Sequence, residues 1–251
     1  MNTHSAPEAT DQPSPPSRAE PGAALAGRRI AITGGTSGLG LALVDEMLGR
    51  GARVAFVART RADVERVASA RSGAHGVVGD IAAKHDIYPI ALEIAQALGG
   101  LDILVNNASS LGPTPLAPLA DTECEDFEIA LATNVIGPFR LTKALLGSLA
   151  ASARQGRGAA VLNVSSDAAV NAYAGWGAYG ASKAALRHLS AIWGEEMAGF
   201  GVAFLSLDPG DMDTPLHALA VPDADRSQLK RPRDAARELA DALANCLTGP
   251  A

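Results

Sequence analysis

The stretch Thr33-Gly34-Gly35-Thr36-Ser37-Gly38-Leu39-Gly40 follows a short apolar run, Arg29–Thr33, and opens a helical pattern, Gly38–Leu48. Glycine permits a tight turn and close approach of a ligand to the backbone, and the helix N-terminus offers amide donors to a phosphate. Taken alone, such a stretch could equally be a flexible loop. Because it lies between the first strand and the first helix of a βαβ unit, it indicates a dinucleotide-binding site.

Short apolar runs and longer amphipathic stretches alternate along the rest of the chain. Strands are predicted at Arg29–Thr33, Arg53–Ala58, Gly76–Gly79, Ile103–Asn106, Ala159–Ser165 and Val202–Leu207. Helices are predicted at Gly38–Leu48, Arg61–Ala70, Lys84–Leu98, Glu123–Leu149, Tyr179–Ala198 and Pro232–Leu247. Strands that are apolar throughout are typical of a parallel sheet buried on both faces. The pattern predicts an α/β fold with a doubly wound parallel sheet of six strands (a Rossmann fold) in three layers.

Residues 1–28 differ from the rest in composition. They are rich in Pro, Ser, Ala and charge and show no apolar periodicity, so we predict a disordered N-terminal tail without the features of a secretory or transit signal. Residues 29–251 are predicted to form a single dinucleotide-binding catalytic domain.

The overall composition excludes several classes of protein. A net charge of −6 gives no general attraction for nucleic acid or anionic lipid, and no apolar run is long enough for a membrane span. Cys124 and Cys246 have no close-spaced partner, which favours a reducing cytoplasm. The five histidines are scattered, so no metal site is predicted.

Ser166, Tyr179 and Lys183 form a candidate proton-transfer site. Helical residues four apart share a face, so the Lys183 ammonium can lie beside the Tyr179 hydroxyl. A phenol with a pKa of about 10 is a poor acid–base catalyst near neutrality, and a neighbouring cation lowers that pKa. The pattern predicts an enzyme that moves a hydride and a proton together.

The second predicted strand ends Val57-Ala58-Arg59-Thr60. A cofactor with a free ribose 2′-hydroxyl usually meets an acid at this point, but Ala58 offers none and the Arg59 guanidinium suits a 2′-phosphate. We therefore predict NADP rather than NAD, with a solvated strand end as the alternative role for Arg59. Asp80, after the third strand, is either an acceptor for the adenine amino group or an ordinary turn aspartate.

The chain resembles the short-chain dehydrogenase/reductase family in its single-domain form, from about Arg29 to about Thr214. The matching residues are Thr33-Gly34-x-x-x-Gly38-x-Gly40, Asp80-Ile81, Asn106-Asn107-Ala108, Asn134, Ser165-Ser166, Tyr179-x-x-x-Lys183 and Pro209-Gly210-x-x-x-Thr214.

The resemblance implies catalytic roles for four residues. Tyr179 would be the general acid, and Lys183 would lower its pKa and hold the nicotinamide ribose. Ser166 would hydrogen-bond the substrate oxygen, and Asn134 would kink its helix and hold a water in a proton relay towards Lys183. Ser166 as a strand-end cap and Asn134 as a buried amide are the alternatives.

The resemblance also implies a set of cofactor contacts. Asn106 and Ala108 would line the adenosine ribose, whereas Pro209-Gly210 would hold the nicotinamide unless it is a plain turn. The full set is Gly34, Thr36, Ser37, Gly38, Leu39, Gly40, Arg59, Asp80, Ile81, Asn106, Ala108, Tyr179, Lys183, Pro209, Gly210 and Thr214.

Substrate contacts are expected from two segments. In the family, the segment 167–178 forms one wall of the pocket, so Asp167, Tyr173 and Trp176 are candidate substrate contacts. Alternatively, both aromatic rings pack on a neighbouring loop or subunit. The stretch 211–229 resembles a mobile lid in which Met212, His217 and Leu219 face inward.

Two departures from the family pattern stand out. Family members usually run on past the last helix into a further strand, whereas this sequence stops at residues 246–251 with no apolar run, which predicts an exposed sheet edge after Val202–Leu207. Ser109 replaces the usual glycine after Asn-Asn-Ala, which is expected to tighten the wall above the nicotinamide.

These observations favour an NADP(H)-dependent oxidoreductase acting on a small-molecule ketone, aldehyde or alcohol. An NADP(H)-sensing regulatory protein without turnover, or a non-redox isomerase or dehydratase on the same scaffold, remains the alternative.

The helices Glu123–Leu149 and Tyr179–Ala198 are apolar over more than one face, which predicts a further packing partner. The apolar residues include Leu141, Leu145, Leu186, Leu189, Ile192 and Trp193. In the family the corresponding helices pair across a two-fold axis, so we predict a homodimer, with a tetramer possible but less favoured.

Overall fold

The computed structural model describes residues 23–248 of the 251-residue chain. Its sheet has six parallel strands in the order β3-β2-β1-β4-β5-β6. The strands are β1 Arg29–Thr33, β2 Arg53–Ala58, β3 Ala74–Val78, β4 Ile103–Asn106, β5 Ala159–Val164 and β6 Val202–Leu207. This order confirms the doubly wound fold, in which the strand sequence reverses between β1 and β4.

Helices cover both faces of the sheet. They are α1 Gly38–Gly49, α2 Arg61–Ser69, α3 Ile87–Leu98, α4 Cys124–Leu131, α5 Gly137–Arg154, α6 Gly177–Met197, α7 Pro215–Ala220 and α8 Pro232–Thr248. Short 3₁₀ turns and one π-helical segment, Ala132–Ile136, complete the regular structure of the described residues.

Alternation along β1 shows how the strands separate two cores. Ile30 and Ile32 point to the face covered by α1 and α8, whereas Ala31 points to the face covered by α3 and α5. All three side chains are fully buried. Burial on both faces explains why the sequence of this strand is apolar without interruption.

Several predicted boundaries are wrong. Among the larger differences, α5 ends at Arg154 rather than Leu149, and α6 begins at Gly177 rather than Tyr179. β3 begins at Ala74 rather than Gly76. α3 begins at Ile87 rather than Lys84, because a turn that includes Asp80 lies between β3 and α3. The helix predicted as continuous over Glu123–Leu149 is α4 and α5, joined by the π-helical segment. A π turn is rare and spans a single turn within longer helices, so apolar periodicity alone does not place it.

The folded region starts before Arg29. Ala23–Leu25 form a 3₁₀ turn, Leu25 is fully buried, and the Gly27 N–H donates to the Gly51 carbonyl. The tail predicted over residues 1–28 is therefore ordered from Ala23 onward. Its first 22 residues lie outside the described residues, and their disorder stays a prediction.

Asp102 joins several elements at the edge of the sheet where the strands begin. Its buried carboxylate accepts hydrogen bonds from Arg29, Arg157 and Ser152. Burial alone would raise the pKa of Asp102, but these donors outweigh it and hold the pKa well below its usual range. The carboxylate thereby fixes the starts of β1 and β4 against the end of α5, opposite the functional site.

Within residues 23–248, no helix is both long enough and apolar enough to cross a lipid bilayer.

Candidate active site

A cleft of about 660 Å³ runs along the edge where the strands end. In parallel sheets this edge collects the loops that follow every strand, and ligands bind where the strand order reverses. The cleft extends from Arg59 after β2, past the turn after β1, to Tyr179 and Trp176 on and beside α6.

The turn after β1 depends on two glycines. Gly38 has φ +51°, a left-handed conformation, and a Cβ there would lie 3.3 Å from the Thr214 side chain. A Cβ at Gly40 would overlap the Gly34 carbonyl oxygen and meet the Asn107 side chain. Because neither position carries a side chain, these contacts are avoided and the helix can begin close to the end of the preceding strand.

The first amides of α1 face the cleft. Ser37 occupies the N-cap with extended backbone angles, but its side chain makes no capping hydrogen bond. Uncapped N–H groups at a helix N-terminus can donate to an anion. The turn therefore fits a pyrophosphate, as the sequence predicts.

Asn107 secures the turn from the neighbouring strand. Its side-chain amide donates to the Thr33 carbonyl at 2.8 Å, and its backbone N–H donates to the Thr33 hydroxyl at 2.9 Å. Asn107 lines the cleft. Asn106, which the sequence places at the ribose, points instead into the core, where its amide donates to Asn163 and Thr142. At this point the wall of the cleft is therefore formed by Asn107 rather than by Asn106.

The adenosine end of the cleft carries Arg59 and Asp80. Arg59 is exposed, and within the described residues its guanidinium takes part in no ion pair. Asp63, which also lines this wall, pairs with Arg66 at 2.8 Å. One oxygen of Asp80 accepts from the Ala82 N–H at 2.9 Å, so this residue does form a turn. Its position in the cleft wall is also compatible with a role as acceptor for the adenine amino group.

The remaining predicted cofactor residues also reach the cleft. Pro209, Gly210 and Thr214 follow β6, and the Thr214 hydroxyl caps α7 by accepting from the His217 N–H. The predicted residues that line the cleft are Gly34, Thr36, Ser37, Gly38, Leu39, Gly40, Arg59, Asp80, Ile81, Ala108, Tyr179, Lys183, Pro209, Gly210 and Thr214.

Tyr179 and Lys183 lie together at the other end of the cleft, one helical turn apart on α6. Tyr179 is 7% exposed and Lys183 is 2% exposed. The Lys183 ammonium donates to the Val164 carbonyl at 2.9 Å and lies 5.5 Å from the centre of the Tyr179 ring. The i, i+4 spacing thus places the cation against the phenol, as predicted.

The lowered pKa expected for Tyr179 is not found. Burial raises the pKa of Tyr179 to about 12. The charges of Asp208 and Asp167 also raise this pKa, whereas hydrogen bonding to Ser166 and Ser109 lowers it. Burial also lowers the pKa of Lys183 to about 8, against the effect of Asp208. Desolvation of the phenol outweighs the effect of the Ser166 and Ser109 hydrogen bonds, so Tyr179 holds its proton at neutral pH.

Ser166 follows β5 and reaches the same end of the cleft. Its hydroxyl donates to Asp167 at 3.1 Å and accepts from the Ala168 N–H at 3.2 Å. Ser166 therefore caps a short 3₁₀ turn after the strand, which is the alternative role predicted for it. It also lies near the Tyr179 hydroxyl.

Asn134 lies in the π-helical segment and is 1% exposed. Its amide donates to Ser182 and to the Ser110 carbonyl, and its oxygen accepts from Ser109 and from the Ser110 N–H. These four hydrogen bonds occupy the side chain. The helix irregularity expected at Asn134 is present, but any water relay would have to use its main chain.

The predicted substrate contacts divide into two groups. Asp167, Trp176 and Met212 line the cleft. Tyr173 is exposed and does not line the cleft; its hydroxyl donates to Asp167 at 2.7 Å, and its ring meets Trp176 edge-on at 6.5 Å. The two aromatic rings therefore pack on each other within the subunit. This agrees in part with the alternative prediction, that they pack on a neighbouring loop or subunit.

The segment after β6 contains a helix that the sequence analysis missed. In α7, His217 and Leu219 line the cleft, as predicted for the lid, together with Leu216. The mobility of this segment stays a prediction. The signal for the helix was local, since Thr214-Pro215 places a capping residue before a proline at the first helical position.

Two further site residues were overlooked as functional candidates. Asp208 directly precedes Pro209 and influences both Tyr179 and Lys183. Ser109 donates to Asn134 and lies near the Tyr179 hydroxyl. In the part of the chain that the structure describes, no group of His, Cys, Asp and Glu could hold a metal ion.

Comparison with protein families matches residues 28–225 to the family described as short chain dehydrogenase. The 2-(R)-hydroxypropyl-CoM dehydrogenase of Xanthobacter autotrophicus is 32% identical over 75% of this chain and 76% of its own length. The serine 3-dehydrogenase of Rhizobium radiobacter is 33% identical over 74% of this chain and 72% of its own.

Solved structures agree in fold. The 3-ketoacyl-(acyl-carrier-protein) reductase from Brucella melitensis, complexed with NADH, has a TM-score of 0.82 at 27% identity and covers 90% of this chain and 94% of its own. A short chain dehydrogenase from Shigella flexneri, complexed with NADP, has a TM-score of 0.81 at 26% identity and covers 88% and 92%.

The turn geometry makes a prediction that is independent of catalysis. Gly40→Ala should lower the free energy of unfolding by about 1–3 kcal/mol, since the added Cβ must displace backbone. Gly49→Ala, at the exposed end of the same helix, is the matched control, because a Cβ there meets nothing within 4 Å. Urea unfolding of Gly40→Ala at the same denaturant concentration as the parent would contradict the described turn.

Proposed function

The chain belongs to the short-chain dehydrogenase family, and from that premise we propose that it is an NADP(H)-dependent oxidoreductase that interconverts a ketone or aldehyde and the corresponding alcohol. The observation that carries the proposal is the buried pair Tyr179 and Lys183 at one end of a cleft that also contains the glycine turn after β1.

The residues of the cleft fit a nicotinamide dinucleotide. The amides at the start of α1 would hold the pyrophosphate, and the walls after β2 and β3 would hold the adenosine. The segment Pro209–Thr214 and the Lys183 ammonium would hold the nicotinamide half. The bound cofactor would supply or accept the hydride, and the protein would orient it.

The side chains at the reacting end have distinct roles in this proposal. Tyr179, protonated at neutral pH, would give its proton to the carbonyl oxygen during reduction. The Ser166 hydroxyl would stabilise the negative charge that develops on the same oxygen. Lys183 would place a positive charge beneath the phenol and favour the phenolate needed for alcohol oxidation.

Removal of the phenolic proton tests this chemistry. With NADPH and a panel of ketones and aldehydes, the parent protein should oxidise NADPH steadily, and Tyr179→Phe should lower kcat at least about a hundredfold, the usual contribution of a general acid. NADPH affinity should remain. Tyr88→Phe, on an exposed tyrosine of α3, is the matched control.

The assignment of Tyr179 is wrong if Tyr179→Phe turns over at nearly the parental rate. If the parent shows no NADPH oxidation with any carbonyl compound, the redox proposal itself fails, and a sensing or non-redox role is favoured.

The preference for NADP rests on the end of β2. Ala58 provides no carboxylate for a ribose 2′-hydroxyl, while Arg59 lines the cleft with an exposed guanidinium. A planar guanidinium can bind a phosphate through two parallel hydrogen bonds. The relatives' structures hold NADH in one case and NADP in another, so the choice follows from this chain's own residues.

Arg59→Ala should weaken NADPH binding by about ten- to a hundredfold, which corresponds to the roughly 1.5–3 kcal/mol of a charge-assisted hydrogen bond, and should affect NADH little. Arg154→Ala removes an exposed arginine at the end of α5, at the opposite edge of the sheet, and is the control. Equal affinity of the parent protein for the two cofactors, measured by fluorescence titration, would overturn the preference.

We also propose a homodimer through α5 and α6, supported by fewer apolar residues than the sequence suggested. Leu141, Leu145 and Leu186 are buried in the core of their own subunit, so they call for no partner. What remains apolar on the surface includes Phe139, 37% exposed, and Ile192, 42% exposed. Exposed side chains of this size on adjacent helices are a suitable core for a symmetric interface.

Ile192→Arg should convert the dimer to a monomer, because the interface would have to bury a charge without a partner. Tyr88→Arg, which replaces an exposed aromatic residue on α3, should leave the dimer intact. Light scattering at micromolar concentration measures both. A parent protein that is already monomeric at that concentration contradicts the proposed assembly.

A further inference from the structure

The substrate end of the cleft is acidic. Asp167, Asp208 and Asp211 all line it, whereas Arg59 lies at the adenosine end. Lys183, on this stretch of the wall, is buried and donates to a backbone carbonyl. The His217 ring, which carries a charge only if it is protonated, lies 4.0 Å from Asp211. The lining that the structure describes here thus carries more negative than positive charge.

This acidity opposes the proposed chemistry. Reduction of a carbonyl group builds negative charge on its oxygen, next to Tyr179 and Ser166. Asp167 accepts a hydrogen bond at 3.1 Å from Ser166, the serine proposed to bind that oxygen, so its carboxylate lies one hydrogen bond from the group that would stabilise the charge. Asp167 and Asp208 also disfavour the phenolate of Tyr179. A carboxylate in this place hinders turnover unless a positive charge accompanies the substrate.

Asp167 is held in one orientation by two hydroxyl groups. One carboxylate oxygen accepts from Ser166, and the other accepts from Tyr173 at 2.7 Å. A carboxylate can accept about four hydrogen bonds, so each oxygen retains capacity for a further donor. The Tyr173 ring is itself fixed against Trp176. Asp167 is therefore oriented by two hydroxyl groups, lines the cleft as an exposed side chain and has unused acceptor capacity.

Next to this acid is an aromatic wall and a buried hydroxyl. Trp176 lines the cleft and meets the Tyr179 ring edge-on at 5.7 Å. Tyr179 is more than nine-tenths buried, and no hydrogen bond of ordinary geometry joins its hydroxyl to a described residue, although Ser166 and Ser109 lie nearby. Tyr179 lines the cleft, and in the proposed function its hydroxyl binds the substrate oxygen. Aromatic faces also attract cations.

We propose that the substrate carries a protonated amine on the carbon next to the reacting carbon, and that the Asp167 carboxylate binds this ammonium group. The substrate class is an amino ketone or the corresponding amino alcohol, with an apolar remainder. The inference rests on the proposed function, because it assigns the substrate oxygen to Tyr179 and Ser166.

Each neighbouring residue has a defined part in this site. Ser166 donates to Asp167 and lies near the Tyr179 hydroxyl, which would place the amine and the oxygen of the substrate on adjacent carbons. Tyr173 is a positioning residue that acts through Asp167. Leu216 and Leu219 of α7 and Ile129 of α4 give the apolar remainder a surface. Substrates with a carboxylate or phosphate near the reacting carbon would be repelled.

A pair of isosteric alcohols tests the inference. 2-Amino-1-phenylethanol carries an ammonium group where 1-phenyl-1-propanol carries a methyl group. Calorimetric titration of the full chain, with and without saturating NADP⁺, should show at least tenfold tighter binding of the ammonium compound. With NADP⁺ as oxidant, its kcat/KM should be higher by a similar factor.

Three variants locate the effect. Asp167→Asn should abolish the difference in affinity between the two alcohols, because the amide carries no charge. Tyr173→Phe should reduce the difference without abolishing it, since the carboxylate remains but loses one orienting donor. Glu93→Gln, which removes one exposed charge on α3, should retain the full difference.

The outcomes separate this inference from the proposed function. Oxidation of both alcohols without preference for the amine leaves the redox function intact and overturns the inference. Tighter binding of the amine that depends on Asp167, without oxidation of either alcohol, supports the ammonium site and counts against the redox function. No measurable binding of the amine at millimolar concentration, or a preference that survives Asp167→Asn, also overturns the inference.

Discussion

The close approach of Gly40 to the Gly34 carbonyl is the constraint on which the site depends. It lets α1 start directly above the end of β1, so that its first amides face the cleft. Asn107 then binds the Thr33 carbonyl and holds β4 to the same turn. A side chain at position 40 would push α1 away and separate the phosphate-binding amides from the rest of the cleft.

The parallel sheet explains how distant residues reach one cleft. Arg59 follows β2, Asp80 follows β3, Asn107 follows β4, Ser166 follows β5 and Asp208 follows β6. Every strand ends at the same edge, so each contributes one loop, and the reversal between β1 and β4 opens the space between them. At the opposite edge, Asp102 and its arginines fix the strand starts, which keeps these loops in register.

The sequence predicts β1, β2, β4 and β6 to the residue, since buried parallel strands have uninterrupted apolar runs with polar or glycine boundaries. It also places most of the cofactor wall, because a glycine turn and an i, i+4 pair are local patterns. It does not distinguish Asn106 from Asn107, since only the pleat of β4 decides which amide faces the cleft. The high pKa of Tyr179 likewise depends on burial and on Asp208, which are tertiary features.

The central claim is that Tyr179 and a nicotinamide cofactor act on one carbonyl group, and isotope transfer tests it most directly. NADPH deuterated at the transferable C4 position is incubated with the protein and a panel of ketones that includes amino ketones. The account predicts an alcohol that carries deuterium on the carbinol carbon, as found by mass spectrometry. A product that forms without deuterium, or the absence of any reduced product, would contradict the account.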